Sequence, residues 1–365
     1  MKTKFQSALR LFTLGTLGFA FCTAAPAYEY STSGGSKICW DDTSVKLRMS
    51  EISFTEGDAW SDAFEMAINQ WTKNPSPFYF YPQYGDGSVS TNNSQSEVFF
   101  TTDSNFLGGA PAATLVASRG DEIVWTDIGF DAAFDWMSGD TATSSVGYGG
   151  NFRPFTSSAI HELGHALGLD HEDDEYNMMG TSYTHLSCNA GSLIFGPGED
   201  ASNGAVFLYG LYSEDFEDVG ATHWKYLGRD GNGYSTHTRT VVKSSGGTTL
   251  AVHAGTEDDP CYEVTSGQTV KVEFTLENNG KHTQSPLVGY YFSSNNNITT
   301  SDTLLTTRTP TIGRNSVYTT DYTVTLPNNL LSGHTYYLGI IMDKNDTLSE
   351  VREGNNATYV GIYVR

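Results

Sequence analysis

The sequence predicts an α+β fold in which a mixed helix-and-strand domain precedes an all-β domain. Through about residue 210, apolar residues recur both at helical spacing and in short strand-like runs. From about residue 259 only strand-like alternation remains, as in Val270, Val272, Phe274 and Leu276. The chain has 365 residues, 38% of them hydrophobic, which is enough for two domains with their own cores.

The first 27 residues have the pattern of a secretory signal peptide. Three basic residues precede the apolar stretch 11–22, and residues 25–27 (Ala-Pro-Ala) have the small-x-small form of a cleavage site. The stretch is short for a membrane span, and no other run reaches about 18 apolar residues. We therefore expect a secreted, extracellular protein beginning near Tyr28, with retention in a periplasm or on a surface left open.

Residues 28–210 are predicted to form the mixed domain. Trp60, Phe64, Ile68 and Trp71 recur at helical spacing, which predicts a helix over 60–73. Strands are predicted over 97–100, 113–117 and 122–125, a second helix from Thr156 or Ser157 to about Leu167, and a third over 201–209.

Residues 211–258 are predicted to be a linker or β-rich connector, with a few strand candidates such as 237–242. Residues 259–365 show period-2 alternation over 270–276, 318–326, 336–342 and 360–364, separated by turn residues. That texture is typical of an immunoglobulin-like (Ig-like) β-sandwich.

The charge balance bears on which partners the protein can bind, and the number of cysteines bears on disulfide formation. There are 42 acidic against 20 basic residues, a net charge of −22, which disfavours binding to nucleic acid. After the predicted cleavage Cys39, Cys188 and Cys261 remain. An odd number of cysteines in an exported chain predicts one disulfide and one free thiol, with the pairing open.

The segment 161–171 carries the strongest chemical signal. On a helix, His161 and His165 project from one face and can bind one metal ion, with Glu162 beside the first of them. Gly168 can end the helix and turn the chain back, so that His171 becomes a third ligand. Three imidazoles leave a fourth zinc position open for water, which predicts one catalytic Zn²⁺ with Glu162 as the general base.

Two other interpretations of this segment are a surface helix with solvated histidines and a structural metal site. In a structural zinc site Glu162 would have no role, and a fourth protein ligand would occupy the remaining coordination position. All nine histidines lie at or after residue 161, and six of them (His185, His223, His237, His253, His282 and His334) show no partner spacing. We expect those six to be solvated or packed.

The segment 161–171 resembles the long zinc-binding motif of the metzincin metallopeptidases, and the resemblance to the matrixin branch extends over about residues 40–210. It implies a twisted mixed sheet with an active-site helix. It also implies a methionine turn at Met179, with Met178 the lesser candidate. Protein or peptide substrates are then expected along an edge strand near 112–118.

The sequence also departs from that pattern. Thr181 stands two residues after Met179, where some metzincins have a tyrosine near the metal. The second, structural zinc of vertebrate matrixins is not expected in its usual form, since no histidine precedes residue 161. The acidic run 172–175, Asp86 and Asp103 could bind Ca²⁺, but their spacing is not that of a known calcium site. The preferred interpretation of the run is a solvated loop.

The C-terminal segment resembles the CARDB-type β-sandwich of bacterial secreted proteins. The resemblance rests on Glu277-Asn278-Asn279-Gly280, the loop 301–305, and the segment 343–356 with Glu350, Glu353, Asn355 and Asn356. These polar residues are expected to serve as hairpin turns, with ligand binding the alternative. The resemblance implies contact with a cell surface or a polysaccharide.

The leading hypothesis is a secreted zinc metalloendopeptidase with a β-sandwich that positions it. The competing hypothesis is an exported binding protein whose metal domain is subordinate. The intact set of three histidines and Glu162 favours the enzyme.

Overall fold

The computed structural model describes residues 28–91, 93–137, 153–181, 185–224, 234–256 and 259–365. The signal peptide predicted over residues 1–27 lies outside the described residues. The helices are α1 (Ala59–Thr72), α2 (Ser104–Leu107), α3 (Phe155–Leu167), α4 (Glu199–Tyr209) and a 3-10 helix, η1 (Gly354–Asn356). None of the helices in these ranges is both long and apolar enough to cross a bilayer.

Twenty strands are described. The first eleven are β1 (Thr32–Ser33), β2 (Ser36–Lys37), β3 (Ser44–Ser50), β4 (Tyr79–Asp86), β5 (Glu97–Thr101), β6 (Ala112–Arg119), β7 (Glu122–Asp131), β8 (Trp136–Met137), β9 (Arg153–Pro154), β10 (Leu186–Asn189) and β11 (Ser192–Phe195). The others are β12 (Val219–Ala221), β13 (Val241–Ser244), β14 (Cys261–Val264), β15 (Thr269–Asn278), β16 (Val288–Ser293), β17 (Thr303–Arg308), β18 (Ser316–Thr325), β19 (Thr335–Ile341) and β20 (Ala357–Val364).

A five-stranded sheet in the order β4-β3-β5-β7-β6 is the framework of the N-terminal domain. In this order β4, β3, β5 and β7 run parallel to one another, whereas β6 runs antiparallel to β7 and lies at the edge. The mixed sheet predicted for this domain is therefore confirmed, and the predicted strand 113–117 belongs to its edge.

Helices α1 and α3 pack together through buried apolar side chains. The Asp58 carboxylate caps α1 by accepting from the N–H groups of Trp60 and Ser61. The Trp71 indole donates to the Ile160 carbonyl at 2.7 Å, a buried bond between the two helices. These contacts fix α3 relative to α1.

The start of α3 differs from the prediction of a Thr156 or Ser157 cap. The helix begins at Phe155 after Pro154, without a side-chain cap. The Ser157 hydroxyl instead donates to the Pro154 carbonyl at 2.8 Å, inside the first turn. The predicted cap at Thr156 or Ser157 is therefore wrong, since both residues lie inside the helix.

Two sheets form the C-terminal domain. In one, β15 pairs with β18 along one edge and with β12 and β13 along the other; the second has the order β14-β20-β19-β16-β17. Alternate residues of β15, from Val270 to Leu276, enter an apolar core that both sheets share. The all-β prediction for this region is confirmed.

Part of the predicted connector belongs to this domain. Within residues 211–258, β12 and β13 pair with β15 and extend its sheet. The sequence pattern also missed β16, because all six of its residues are buried and it shows no polar alternation.

The two domains share a continuous interior. Tyr291, Ile298 and Tyr359 of the C-terminal domain belong to the same buried apolar cluster as the N-terminal core. Arg352 donates to both the side chain and the main-chain carbonyl of Gln70 on α1, at 2.9 and 2.6 Å. The sandwich therefore packs directly against the helix layer.

The predicted disulfide is wrong for the described cysteines. Cys39, Cys188 and Cys261 each keep a thiol. They stand on three separate elements: Cys39 precedes β3, Cys188 lies on β10 and Cys261 opens β14. No disulfide among these three cysteines therefore stabilises the fold.

Candidate active site

The end of α3 is built to bring three histidines together. His161 and His165 lie one turn apart on the helix, and Gly168 ends it with φ of +109°. A Cβ at Gly168 would come within 2.8 Å of the Ile38 carbonyl oxygen, so both its backbone angle and its surroundings require glycine. The turn returns the chain and places His171 beside the helix, as the sequence predicts.

The three imidazoles converge on one point through their Nε2 atoms. His161 and His165 are 3.0 Å apart at these atoms, His161 and His171 are 3.1 Å apart, and His165 and His171 are 3.2 Å apart. Ligands of one tetrahedral zinc with bonds of about 2.0–2.1 Å lie roughly 3.3 Å from one another. The spacing fits one zinc ion held by all three side chains.

The opposite ring nitrogens of two histidines are held by main-chain carbonyls. His161 Nδ1 lies 2.8 Å from the Met178 oxygen, and His165 Nδ1 lies 2.9 Å from the Leu169 oxygen. Donation from Nδ1–H leaves the Nε2 lone pair available for a metal. Burial lowers the pKa of His165 to about 4, which keeps its imidazole neutral.

The Glu162 carboxyl group is 5% exposed and lies next to the three imidazoles in the same cleft. The Thr114 hydroxyl, on β6, donates to Glu162 Oε2 at 2.6 Å and lies 3.1 Å from the Glu162 main-chain oxygen. Burial raises the pKa of Glu162 to about 7, while the bond from Thr114 acts in the opposite direction. Sequence reasoning missed Thr114, although it is the only hydroxyl in the run 112–117.

Met178 and Met179 both lie beneath the histidines. Met178 supplies the carbonyl that holds His161. Met179 is 2% exposed and lies against Gly164 of α3, where an added Cβ would collide with its thioether and with the Trp71 ring. The assignment of Met179 as the turn methionine stays a prediction, and this contact agrees with it.

A cleft of about 540 Å³ runs past this site. Its walls include the three histidines and Glu162 on one side and Ala112, Ala113, Thr114 and Val116 of β6 on the other. Among the described strands β6 pairs only with β7, so its outer edge can accept an extended chain.

The acidic run 172–175 is not a fully solvated loop, contrary to the prediction. Glu172 and Glu175 are buried, with 7% and 4% exposure. Burial raises the pKa of Glu172, whose carboxylate accepts from the Asp174 N–H. Asp173 is exposed and accepts from the N–H and hydroxyl of Thr181, beside the cleft.

The other predicted polar residues hold turns and a helix end or join distant segments. Asp86 accepts from the N–H and hydroxyl of Ser88, and Asp103 caps α2. The expected hairpin-turn role is wrong for Glu277 and Asn278, which lie on β15. It is also wrong for Glu350, which accepts from the Val219 N–H at the start of β12 and from Asn356, and for Asn355, which donates to Asp218.

Comparisons with known proteins agree with this architecture. Residues 39–209 match the Matrixin family (Peptidase_M10), and residues 232–360 match the CARDB family. One relative is "Matrix metalloproteinase-B" of Caenorhabditis elegans, 37% identical over 88 residues; the match covers 24% of this chain and 16% of that protein's length.

Two structures of one CARDB domain from Pyrococcus furiosus are also similar. A crystal structure, described as in complex with di-metal ions, is 19% identical with a TM-score of 0.23, and covers 28% of this chain and 79% of that one. A solution NMR structure is 16% identical with a TM-score of 0.25, and covers 41% and 97%. From the two family matches and the three converging histidines, the chain carries a matrixin domain at residues 39–209 followed by a CARDB domain at residues 232–360.

Proposed function

We propose that this protein is a secreted zinc-dependent metalloendopeptidase. The observation that carries the proposal is the joint placement of His161, His165 and His171 with Glu162 in a cleft along an edge strand. The match to the matrixins and the similarity to a matrix metalloproteinase support it.

The three histidines would hold one zinc ion through Nε2, and Glu162 acts as the general base. When bound, zinc polarises the substrate carbonyl and makes its water ligand a nucleophile near neutral pH. Glu162 accepts a proton from the attacking water and returns it to the leaving amine. Thr114 holds the carboxylate in place through Oε2.

The edge of β6 is the proposed binding site for the substrate backbone. An extended peptide can add a strand there through main-chain hydrogen bonds, which tolerate varied side chains. We infer from residues 1–27 that the protein acts outside the cytoplasm, and from the C-terminal domain that it contacts a cell surface or polysaccharide.

A mixed peptide library tests the activity. We expect residues 28–365, supplied with zinc, to make internal cuts that mass spectrometry detects, and we expect a chelator to abolish them until zinc is restored. His165→Ala, which lacks one proposed ligand, is the inactive control. The absence of cuts at full zinc occupancy would favour the competing hypothesis of an exported binding protein.

A further inference from the structure

A second cluster of histidines and carboxylates lies between the two domains, away from the cleft. This interdomain cluster consists of Glu175, His185, Glu199, His237 and Glu277. The first three come from the matrixin domain and the last two from the CARDB match. Each is between 1% and 6% exposed.

Glu277 joins the two histidines. Its Oε1 lies 2.8 Å from His185 Nε2 and 2.7 Å from His237 Nε2. Burial alone would raise the pKa of Glu277, but the two histidines outweigh it and hold the pKa well below its ordinary value. Glu277 therefore connects one histidine of each domain.

Glu199 faces the same point with an unsatisfied oxygen. Its Oε2 is buried, accepts no hydrogen bond from the described residues, and lies 3.7 Å from His237 Nε2. Buried carboxylate oxygens are normally hydrogen-bonded or bound to a cation. Glu175 approaches from the other side, where it accepts from the hydroxyls of Ser235 and Thr236.

Carboxyl groups outnumber histidines in the cluster. It holds three buried carboxyl groups, and no described lysine or arginine forms an ion pair with any of them. A divalent cation would offset the charge of these carboxylates, whereas the described residues place only two imidazoles beside them.

The donors and their spacing indicate which cation would fit. One ligand atom each from Glu175, Glu199 and His237 lies within 4.8 Å of the other two. An imidazole among carboxylates suits zinc and similar transition metals, whereas calcium and magnesium prefer sites made of oxygen alone.

We propose that the interdomain cluster binds one divalent transition-metal ion, of which zinc is the representative, through Glu175, Glu199 and His237. Glu277 accepts from His237 Nε2 and links it to His185, so Nδ1 is the nitrogen of His237 that would bind the ion. The ion joins two ligands of the matrixin domain to one of the CARDB domain, so it stabilises their packing. This site shares no residue with the three histidines of the cleft.

Zinc content of the purified residues 28–365 tests the proposal. After dialysis against zinc and then metal-free buffer, mass spectrometry of the metal should find two zinc ions per chain. We expect one in Glu199→Gln/His237→Gln, one in His165→Ala, and none when the three substitutions are combined. His253→Gln/Glu263→Gln removes a more exposed His–Glu pair of the same domain and should keep both ions.

A second measurement does not depend on the variants folding. Anomalous diffraction from the unaltered chain at the zinc edge should show one peak in the cleft and one in the interdomain cluster. A peak in the cleft alone, with zinc content unchanged by Glu199→Gln/His237→Gln, overturns the proposal. The cluster would then be a polar network that holds the domains together without metal.

Discussion

The Glu162 carboxylate depends for its position on a hydroxyl from another element. Thr114 reaches it from the edge strand β6, at 2.6 Å. A hydrogen bond to a charged group contributes about 1.5–3 kcal/mol. If Glu162 must meet a water molecule at a fixed place, loss of this bond should reduce turnover without affecting the metal.

Thr114→Val keeps the shape of the side chain and removes the donor. We expect kcat/KM for peptide hydrolysis to fall by roughly 10- to 100-fold, in line with a bond of that energy. Zinc content should not change, because Thr114 does not contact the histidines in the described structure.

Thr114→Ser restores the hydroxyl and is the matched variant. It should recover most of the lost activity, which a purely structural role in β6 would not explain. Equal losses in the two variants would show that Thr114 does not position Glu162.

The spacing within residues 161–171 predicted the three histidines and Glu162, because two histidines one helical turn apart, followed by a helix-ending glycine and a third histidine, form a local pattern. The partners that hold them could not be predicted in the same way. Thr114 lies 48 residues before Glu162, and the sequence alone does not show that β6 passes beside α3.

Helix α3 illustrates what packing requires of a single element. Its buried face leaves room at Gly164 only for hydrogen, since Met179 and Trp71 occupy the space beside it. Alanine is the better helix former by about 1 kcal/mol, so glycine at this position reflects packing against the methionine turn.

Gly164→Ala should therefore destabilise the protein despite the helical preference of alanine. Overpacking typically costs about 1–3 kcal/mol, and displacement of Met179 should also disturb the His161 contact with Met178. Equilibrium unfolding in denaturant should show a lower free energy of unfolding, together with reduced peptidase activity.

Gly246→Ala is the control, because an added Cβ there meets only the Ser244 hydroxyl oxygen at 3.7 Å. It should be close to neutral. An increase in stability for Gly164→Ala would contradict the packing described for the methionine turn.

Elements whose apolar residues recur at a regular spacing were predictable from the sequence, whereas fully buried elements were not. Helix α1 and strand β15 carry their buried residues at regular spacing, so the sequence predicts them closely. Strands such as β16 are buried on both faces and lack that alternation. The short strands β12 and β13 are extended because they pair with β15, which their own sequences do not indicate.

In the whole molecule the two domains are joined by buried polar contacts as well as apolar packing. Arg352 donates to Gln70 of α1 and, at 2.9 Å, to the Asp218 carboxylate. Arg352 and Asp218 are both almost fully buried. Breaking a buried pair from one side leaves an uncompensated charge, which is why this contact should matter more than ion pairs near the surface.

Arg352→Ala should lower the free energy of unfolding by about 3–5 kcal/mol, because Asp218 would remain buried without its cation. Denaturant titration at neutral pH measures this. Combining it with Asp218→Asn should recover part of the loss.

Lys271→Ala breaks the more exposed pair with Asp321, at 3.5 Å, and should cost less than about 1 kcal/mol. A similarly small effect of Arg352→Ala would mean that the contact with Gln70 does not hold the domains together.

The sequence predicted two domains but not how they meet. The five residues of the interdomain cluster are spread from Glu175 to Glu277, and each histidine was expected only to be solvated or packed. Their association depends on how β15 packs against the segment that holds His185 and on the contact between β18 and α4. No local spacing encodes that packing.

The kcat/KM of Glu162→Gln on one internally quenched peptide, at full zinc occupancy, tests the central claim most directly. Glutamine nearly preserves shape and cannot accept the proton, so kcat/KM should fall by roughly 100-fold or more while zinc stays bound at His161, His165 and His171. Activity within a few-fold of the unaltered protein would contradict the assignment of Glu162 as the general base, and with it the proposed mechanism.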